Sequence, residues 1–379
     1  MIGAYKMFKK CILLLLCLYI LGGCAAPKAA ITDGIAYELY VDSSYLKPNS
    51  NYYNIYHIQN QQLSKFGDYK LAFGSGTPTY IRDKVGAYHG TDGHGMYKQG
   101  YGQLDDYYIG ETFEAYLYVD ITNGTPDLMY YEDGVRQSIE VPDNIEFRQM
   151  QYRDGFLYLH SLSIKNDAKT NIFYVFKIDT TTKQTELLQY AQPYHENIIP
   201  YSGDACQIII ENDALLTYYQ YLDEKASNLL NATVCLSYTN GKYVEIPALD
   251  ASRNVVALVF ETEQGFGILE TVASLEGLTE EDFFLQLRYF DAQGNQIDFK
   301  DIDCSQIIST AKEPVLARSG AQYYDNTLYL SISTYAVKST YVFEYDIDEQ
   351  RMSYCDKVSG NAYEGQLVEY KNGIPYSMS

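Results

Sequence analysis

From about residue 34 onward the chain alternates apolar and polar residues in short runs rich in Tyr, Val, Ile, Leu and Phe, broken by Gly, Asn and Asp. A period of two puts successive side chains on opposite faces of a strand, and helical periodicity is scarce, so the pattern predicts an all-β protein. The runs also repeat. Tyr152 to Leu159 (YRDGFLYL) matches Tyr323 to Leu330 (YYDNTLYL): a strand, an Asp-Gly or Asp-Asn turn, and a strand with the same Leu-Tyr-Leu. Further on, Tyr174 to Asp179 (YVFKID) matches Tyr341 to Asp346 (YVFEYD), and each copy then passes through a polar turn into another strand, Glu186 to Tyr190 and Met352 to Asp356. Strand, turn, strand, loop, strand, turn, strand describes a four-stranded antiparallel blade.

Weaker copies fill the rest of the chain. Cys206 to Ile210, Leu215 to Leu222, Ala232 to Tyr238 and Tyr243 to Pro247 form one, with Asn240-Gly241 at its last hairpin. Val255 to Phe260, Gly267 to Val272, Phe284 to Phe290 and Gln296 to Phe299 form another. Thr79 to Tyr88, Phe113 to Asp120 and Asp127 to Tyr131 are assigned to a third, more elaborate copy. The C-terminal hairpin (Gln366 to Tyr370, Ile374 to Ser377) and the N-terminal strands (Ala36 to Val41, Tyr52 to Ile58, Gln62 to Tyr69) are left to complete one last blade between them. Third strands are then expected near residues 53, 114, 172, 233, 284 and 341, a spacing of about 50 to 60 residues that suits propeller blades. The prediction is a β-propeller of six blades over residues 35–379, its ring closed by N- and C-terminal strands; five or seven blades follow if a weak copy is misread. A pair of β-sandwiches is the alternative, and it would need a linker near residue 195.

The start of the chain has a different character. Lys6, Lys9 and Lys10 precede an apolar run from Cys11 to Leu21, and Gly22 and Gly23 follow, the order of an export signal. The run is shorter than the roughly 20 apolar residues of a transmembrane helix. At Leu21-Gly22-Gly23-Cys24 it resembles the lipobox of bacterial lipoproteins. That resemblance covers only the first two dozen residues. It implies cleavage before Cys24, a lipidated cysteine, and anchorage to the outer face of the cytoplasmic membrane in a bacterial cell envelope. Residues 1–23 are then the signal peptide, and residues 24–34 the lipidated cysteine and its tether. Two acyl chains hold a protein on a membrane where one holds it only loosely.

Charge narrows the range of partners. Removing residues 1–23 takes away three lysines and no acid, moving the formal net charge from −21 to −24. So acidic a chain is poorly suited to nucleic acid or anionic lipid, because polyanion binding needs Lys and Arg against phosphates; cationic ligands or basic partners suit it better. Cys206, Cys235, Cys304 and Cys355 are too few for a disulfide scaffold and lie in or beside apolar runs, so buried thiols are expected, with a Cys206–Cys235 bridge as the alternative. The 41 tyrosines and the lack of tryptophan are unusual, and Tyr serves both strands and binding surfaces.

Long connections between second and third strands should share one rim of the ring, where recognition tends to reside. The longest, His89 to Glu111, carries six glycines. Its candidate ligand-binding residues are His89, Asp92, His94, Tyr97, Tyr101, Asp105, Asp106, Tyr107 and Tyr108. His89, Asp92 and His94 are suitable metal-ligand types, but no fourth ligand or established spacing accompanies them, so no metal or other cofactor is assigned. Neither a Gly-x-Ser-x-Gly elbow, a His-Glu-x-x-His motif nor a phosphate-binding loop occurs. The expectation is a lipid-anchored, non-enzymatic binding module that meets an extracellular ligand or envelope protein. The alternative is a carbohydrate-active hydrolase or lyase, with Asp105-Asp106 or Glu280-Glu281-Asp282 supplying carboxylates about 5 to 9.5 Å apart in the funnel.

Overall fold

The computed structural model describes residues 32–42, 52–70, 102–120, 126–161, 170–193, 198–199, 207–222, 230–250, 254–272, 283–311, 315–334, 339–372 and 374–378. In chain order its strands begin with β1 (Gly34–Asp42), β2 (Tyr52–Gln59) and β3 (Gln62–Lys70). The second blade is β4 (Gly102–Ile109), β5 (Phe113–Asp120), β6 (Pro126–Glu132) and β7 (Val135–Gln137). The third is β8 (Phe147–Arg153), β9 (Phe156–Ser161), β10 (Thr170–Asp179) and β11 (Thr185–Pro193). In the fourth, β12 (Ile198–Ile199) and β13 (Gln207–Ile210) both pair with β14 (Ala214–Leu222), followed by β15 (Leu230–Ser237) and β16 (Tyr243–Pro247). The fifth is β17 (Asn254–Thr262), β18 (Gly265–Val272), β19 (Leu285–Asp291) and β20 (Gln296–Ile302). The sixth is β21 (Val315–Tyr324), β22 (Thr327–Thr334), β23 (Ser339–Asp346) and β24 (Arg351–Ser359). Finally β25 (Asn361–Lys371) and β26 (Ile374–Ser377) join the first three strands in the order β26-β25-β1-β2-β3.

The protein is therefore a six-bladed β-propeller whose first blade is stitched from both ends of the chain. In the seam, β1 pairs antiparallel with β25, setting Glu38 opposite Gln366 and Leu39 opposite Gly365. Gly365 is required there: a Cβ would fall 2.1 Å from the hydroxyl of fully buried Tyr37. The tyrosine instead crosses the seam and donates to Ser331 Oγ of blade six at 3.3 Å.

The hairpin turns behave as their sequences predict. Asp154-Gly155 and Asp325-Asn326 all take positive φ (48°, 85°, 46° and 57°), as a two-residue turn matched to strand twist requires. Five of the six expected third strands begin within a few residues of their predicted positions: β2 at Tyr52, β10 at Thr170, β15 at Leu230, β19 at Leu285 and β23 at Ser339. Blade two differs. Phe113–Asp120 is its second strand, and Gly102–Ile109, read from sequence as loop, is its first. The Asp105-Asp106 pair disguises this strand, since Asp is depleted in sheets. It is offset by a tertiary bond, in which Met150 N of β8 donates to Asp106 Oδ2 at 2.6 Å. The stretch Thr79 to Tyr88 lies outside the described residues, as do the signal, Cys24, the tether up to residue 31, and Cys206.

Antiparallel alternation around the ring assigns each connection to one of two rims. First-to-second and third-to-fourth connections are tight, such as Gly110 to Thr112, Asp154-Gly155 and Asp325-Asn326. Second-to-third connections and those between blades leave from the opposite rim, and these are the long ones. Residues 71–101 join β3 to β4, so the strand ends flanking this segment also lie on the long-connection rim.

Apolar residues fill the wedges between blades. The largest cluster, between blades five and six, includes Leu258, Phe260, Leu269, Leu287, Leu328, Leu330, Ile332 and Phe343, and receives Ile307 and Ala311 from a short helix, α1 (Ser305–Ala311). Cys235, Cys304 and Cys355 are free thiols, and burial pushes each up to about 12, so they are chemically quiet packing residues.

Candidate functional site

The innermost strands of the blades surround the ring axis, and near the tight-turn rim they enclose a cavity of about 360 Å³. The last residues of β4 (Tyr107, Tyr108, Ile109), β8 (Met150, Gln151, Tyr152) and β21 (Gln322, Tyr323, Tyr324) line it, together with Ile208 of β13, Gln366 to Val368 of β25 and Pro375 to Met378. Six tyrosines and three glutamines, drawn from blades one, two, three and six, thus form much of the wall. Among the described lining residues there is no carboxylate, imidazole, lysine or arginine.

Several hydrogen-bonding groups of this wall tie one blade to the next. Gln151 spans from β8 to β13 with both ends of its amide: Nε2 donates to Ile209 O at 2.9 Å, and Oε1 accepts from Ile209 N at 2.6 Å. Gln322 Nε2 donates to Gly365 O at 3.0 Å, bridging β21 to β25. Gln366 Nε2 donates to Tyr107 OH at 2.8 Å, bridging β25 to β4, and Ile109 N donates to Ser377 Oγ at 3.0 Å. Tyr323 OH donates to Asn326 Oδ1 at 3.0 Å. The surface toward the cavity is mixed, somewhat more apolar than polar. Tyr108 and Tyr152 lie with ring centroids 4.7 Å apart, and Tyr323 stacks on Phe260 at 4.1 Å. Burial raises the phenol pKa of Tyr108 and of Tyr323, so both are neutral donors at any physiological pH.

Behind Tyr107 runs a buried polar network that the sequence reading missed. Glu38 and His57 are almost fully buried, with Glu38 Oε1 2.7 Å from His57 Nε2. Tyr370 OH donates to Glu38 Oε1 at 2.8 Å, and Gln366 Nε2 reaches Glu38 Oε2 at 3.2 Å. The network joins β1, β2 and β25, and through Gln366 it reaches Tyr107 on β4. A signal for it was present: Glu38 and His57 are lone titratable residues inside strongly apolar runs, a pattern that demands a buried partner.

The sequence-predicted residues divide as follows. Cys24, His89, Asp92, His94, Tyr97 and Tyr101 lie outside the described residues. Asp105 and Asp106 lie on β4. Asp106 accepts from Tyr107 N at 2.8 Å as well as from Met150 N, which gives it a structural role between blades two and three. Tyr107 and Tyr108 line the cavity. Among the described residues no group of three His, Cys, Asp or Glu could hold a metal ion, and no helix is long and apolar enough to cross a membrane.

Neither a protein-family model nor a curated protein matches the chain. Solved structures resemble it distantly. TolB from Acinetobacter baumannii aligns with a TM-score of 0.42 at 10% identity, over 88% of this chain and 66% of that one, so the chain spans just under two thirds of TolB. A protein from Lactobacillus plantarum aligns at 0.41 and 9% identity, over 89% and 100% of the two chains. Penicillium chrysogenum alpha-L-arabinanase, solved with arabinobiose, aligns at 0.36 and 10%, over 65% and 77%. At such scores these likenesses carry nothing about activity, and propellers host many unrelated functions.

Proposed function

We propose that the protein is a lipid-anchored, extracytoplasmic binding module with no catalytic task, and that its central cavity takes an extracellular ligand. The observation that carries this reading is the cavity wall: six tyrosines converging from four blades, with no charged side chain among the described lining residues. A pocket of a few hundred Å³ with aromatic walls and polar groups among them is a usual form of a small-molecule site. The hydrolase alternative needs two opposed carboxylates, which the described lining does not supply.

The start of the fold supports an orientation. Thr32 Oγ1 donates to Gln59 Oε1 at 2.8 Å, and Asn372 N donates to Asp33 Oδ1 at 2.7 Å, so the chain enters the ring at the tight-turn rim. From a lipidated Cys24, eight residue steps reach at most about 28 Å. The tight-turn rim is thereby kept near the membrane and the long-connection rim is turned outward, free to contact an envelope protein. A thermal-shift screen of the full chain in detergent against glycans, cell-wall fragments, small cations and divalent metals tests the binding reading, because a ligand that binds only the native state raises Tm. At least one hit is expected whose effect vanishes in a Tyr324→Ala/Tyr376→Ala variant that still folds. Hits that persist in that variant but vanish on deleting residues 90–101 would move the site to the outer rim.

A further inference from the structure

We infer that the cavity selects a compact organic cation, a quaternary ammonium above all. The inference rests on the reading of the cavity as a binding site and concerns only the class of ligand. Three observations lead to it.

The first is the wall itself. Of its six tyrosines, Tyr108 and Tyr323 are already stacked on Phe113 and Phe260, which leaves Tyr107, Tyr152, Tyr324 and Tyr376 to offer ring surface; Lys371 Nζ lies 5.8 Å from the Tyr376 ring, and a ring quadrupole attracts a cation, the established way of binding quaternary ammonium groups. The second is the state of the polar groups. Both ends of the Gln151 amide, the donor groups of Gln322 and Gln366, and the Tyr107 and Tyr323 hydroxyls are committed to the protein. A sugar or peptide entering here finds those groups already engaged, and each of its own hydrogen-bonding groups left unmatched weakens its binding. A quaternary ammonium head has none to match.

The third observation is electrostatic. The turns that follow the innermost strands stand around this end of the cavity, and five of them carry acid: Glu111 after β4, Asp154 after β8, Glu211 and Asp213 after β13, Glu263 after β17, and Asp325 after β21; Lys371, Arg153 and Lys177 pair with Glu111, Asp154 and Asp213, so the rim keeps a net negative charge smaller than its count of acids. The chain as a whole is strongly acidic. A recess with an acidic rim and a low-dielectric wall focuses the field on its interior and raises the local concentration of cations. Anions are excluded by the same field. The acids thus act at a distance, while contact is left to uncharged rings, so the bound cation keeps no single carboxylate partner.

The test compares choline with 3,3-dimethylbutan-1-ol, which replaces the charged nitrogen by carbon in the same shape, using calorimetry on the full chain in detergent. Choline is expected to bind at least about tenfold tighter than its neutral twin, a margin in keeping with a desolvated cation–π site. Raising the salt should weaken choline alone. Tyr324→Ala should reduce choline affinity about tenfold while Tyr324→Phe keeps most of it, because the ring face and not the hydroxyl carries the interaction. Equal binding of choline and its neutral twin would overturn the cationic class and leave the cavity reading intact. The same holds if a neutral glycan binds in a Tyr324-dependent way and choline does not. If no probe binds and none of the screened compounds responds to the cavity variants, both readings fall together. Phosphatidylcholine vesicles in place of free choline tell the sources apart: retention on vesicles by a non-lipidated Cys24→Ser chain, competed by free choline, assigns the ammonium to a lipid headgroup.

Discussion

Two wedges of the ring, built from the same strands in the same order, are filled in opposite ways. Between blades five and six the wedge is almost wholly apolar, with Leu258, Leu287, Leu330, Ile332 and Phe343 meeting across it and α1 sealing it. Between blades three and four the apolar part shrinks to Tyr158, Phe173, Val175, Leu188, Tyr190, Ile209 and Leu215. The remainder is polar. Across blade three the register sets His160 beside Val175 and Leu188, and across blade four it sets Gln207 beside Thr217 and Cys235, so these residues share the facing surfaces. Gln192 Nε2 donates to Thr217 Oγ1 at 2.9 Å, and Gln207 Nε2 to Ser161 O at 3.1 Å. Yet both ring nitrogens of His160, Gln192 Oε1, Gln207 Oε1 and Thr233 Oγ1 are buried with no partner among the described residues. One wedge is built for cohesion. The other gives up stability through unmatched polar groups and holds its register by hydrogen bonds instead.

If that division is right, the largest effect follows from emptying the apolar wedge. Phe343→Ala should cost about 3–5 kcal/mol, read as a fall in the urea midpoint with an unchanged slope. A loss below about 1 kcal/mol would show that the wedge is not the main source of cohesion. Removing the carboxylate of the seam comes next: Glu38→Ala takes an acceptor from both Tyr370 and Gln366 and leaves the Tyr370 hydroxyl to His57 Nε2, 3.1 Å away, so it should cost about 2–3 kcal/mol for the partners lost from a buried network.

The polar wedge should respond in the opposite direction. Complete burial pushes His160 down to about 3, whereas a histidine in an unfolded chain titrates near 6.5. As pH falls below 6.5 the unfolded state takes up the proton first, so stability present above 6.5 is lost progressively toward pH 3. His160→Leu should flatten the stability profile in that window and stabilise the protein by about 1–3 kcal/mol at pH 7, by removing an unmatched polar group. Urea titrations of both proteins at pH 7 and pH 5 decide it; a variant that is less stable at pH 7 with an unchanged slope would mean that the imidazole has a partner. Smaller still, Gln151→Ala should cost about 1–2 kcal/mol by freeing both backbone groups of Ile209. Phe299→Ser, on the exposed outer strand β20, should stay within about 0.5 kcal/mol of the wild type.

The sequence carried most of the architecture because a propeller repeats local events. Asp154-Gly155 and Asp325-Asn326 announce their hairpins through left-handed backbone preferences that neighbours do not alter. The seam was legible because β25 and β26 at one end and β1 to β3 at the other were each short of partners. What local reading missed depends on distant contacts. β4 is a strand despite Asp105-Asp106 because Met150, in the next blade, supplies the donor for Asp106. The cavity was invisible for the same reason: blades two, three and six contribute three residues each and blade four one, and nothing in any one strand separates Tyr108, which lines it, from Tyr130, which is packed away on Phe113. The long connections drew attention by length and glycine content, which are local properties.

The central claim is that the tyrosine-walled cavity is the site of binding, and a nitration footprint tests it most directly. The full chain would be treated with tetranitromethane with and without saturating choline, or the strongest compound of the screen, and the modified tyrosines mapped by mass spectrometry. The account predicts protection of Tyr324 and Tyr376 on the cavity wall, with Tyr243 and Tyr354, exposed on outer strands, nitrated equally in both samples. Protection of Tyr97 and Tyr101 with Tyr324 and Tyr376 unchanged would contradict it and place recognition on the long-connection rim.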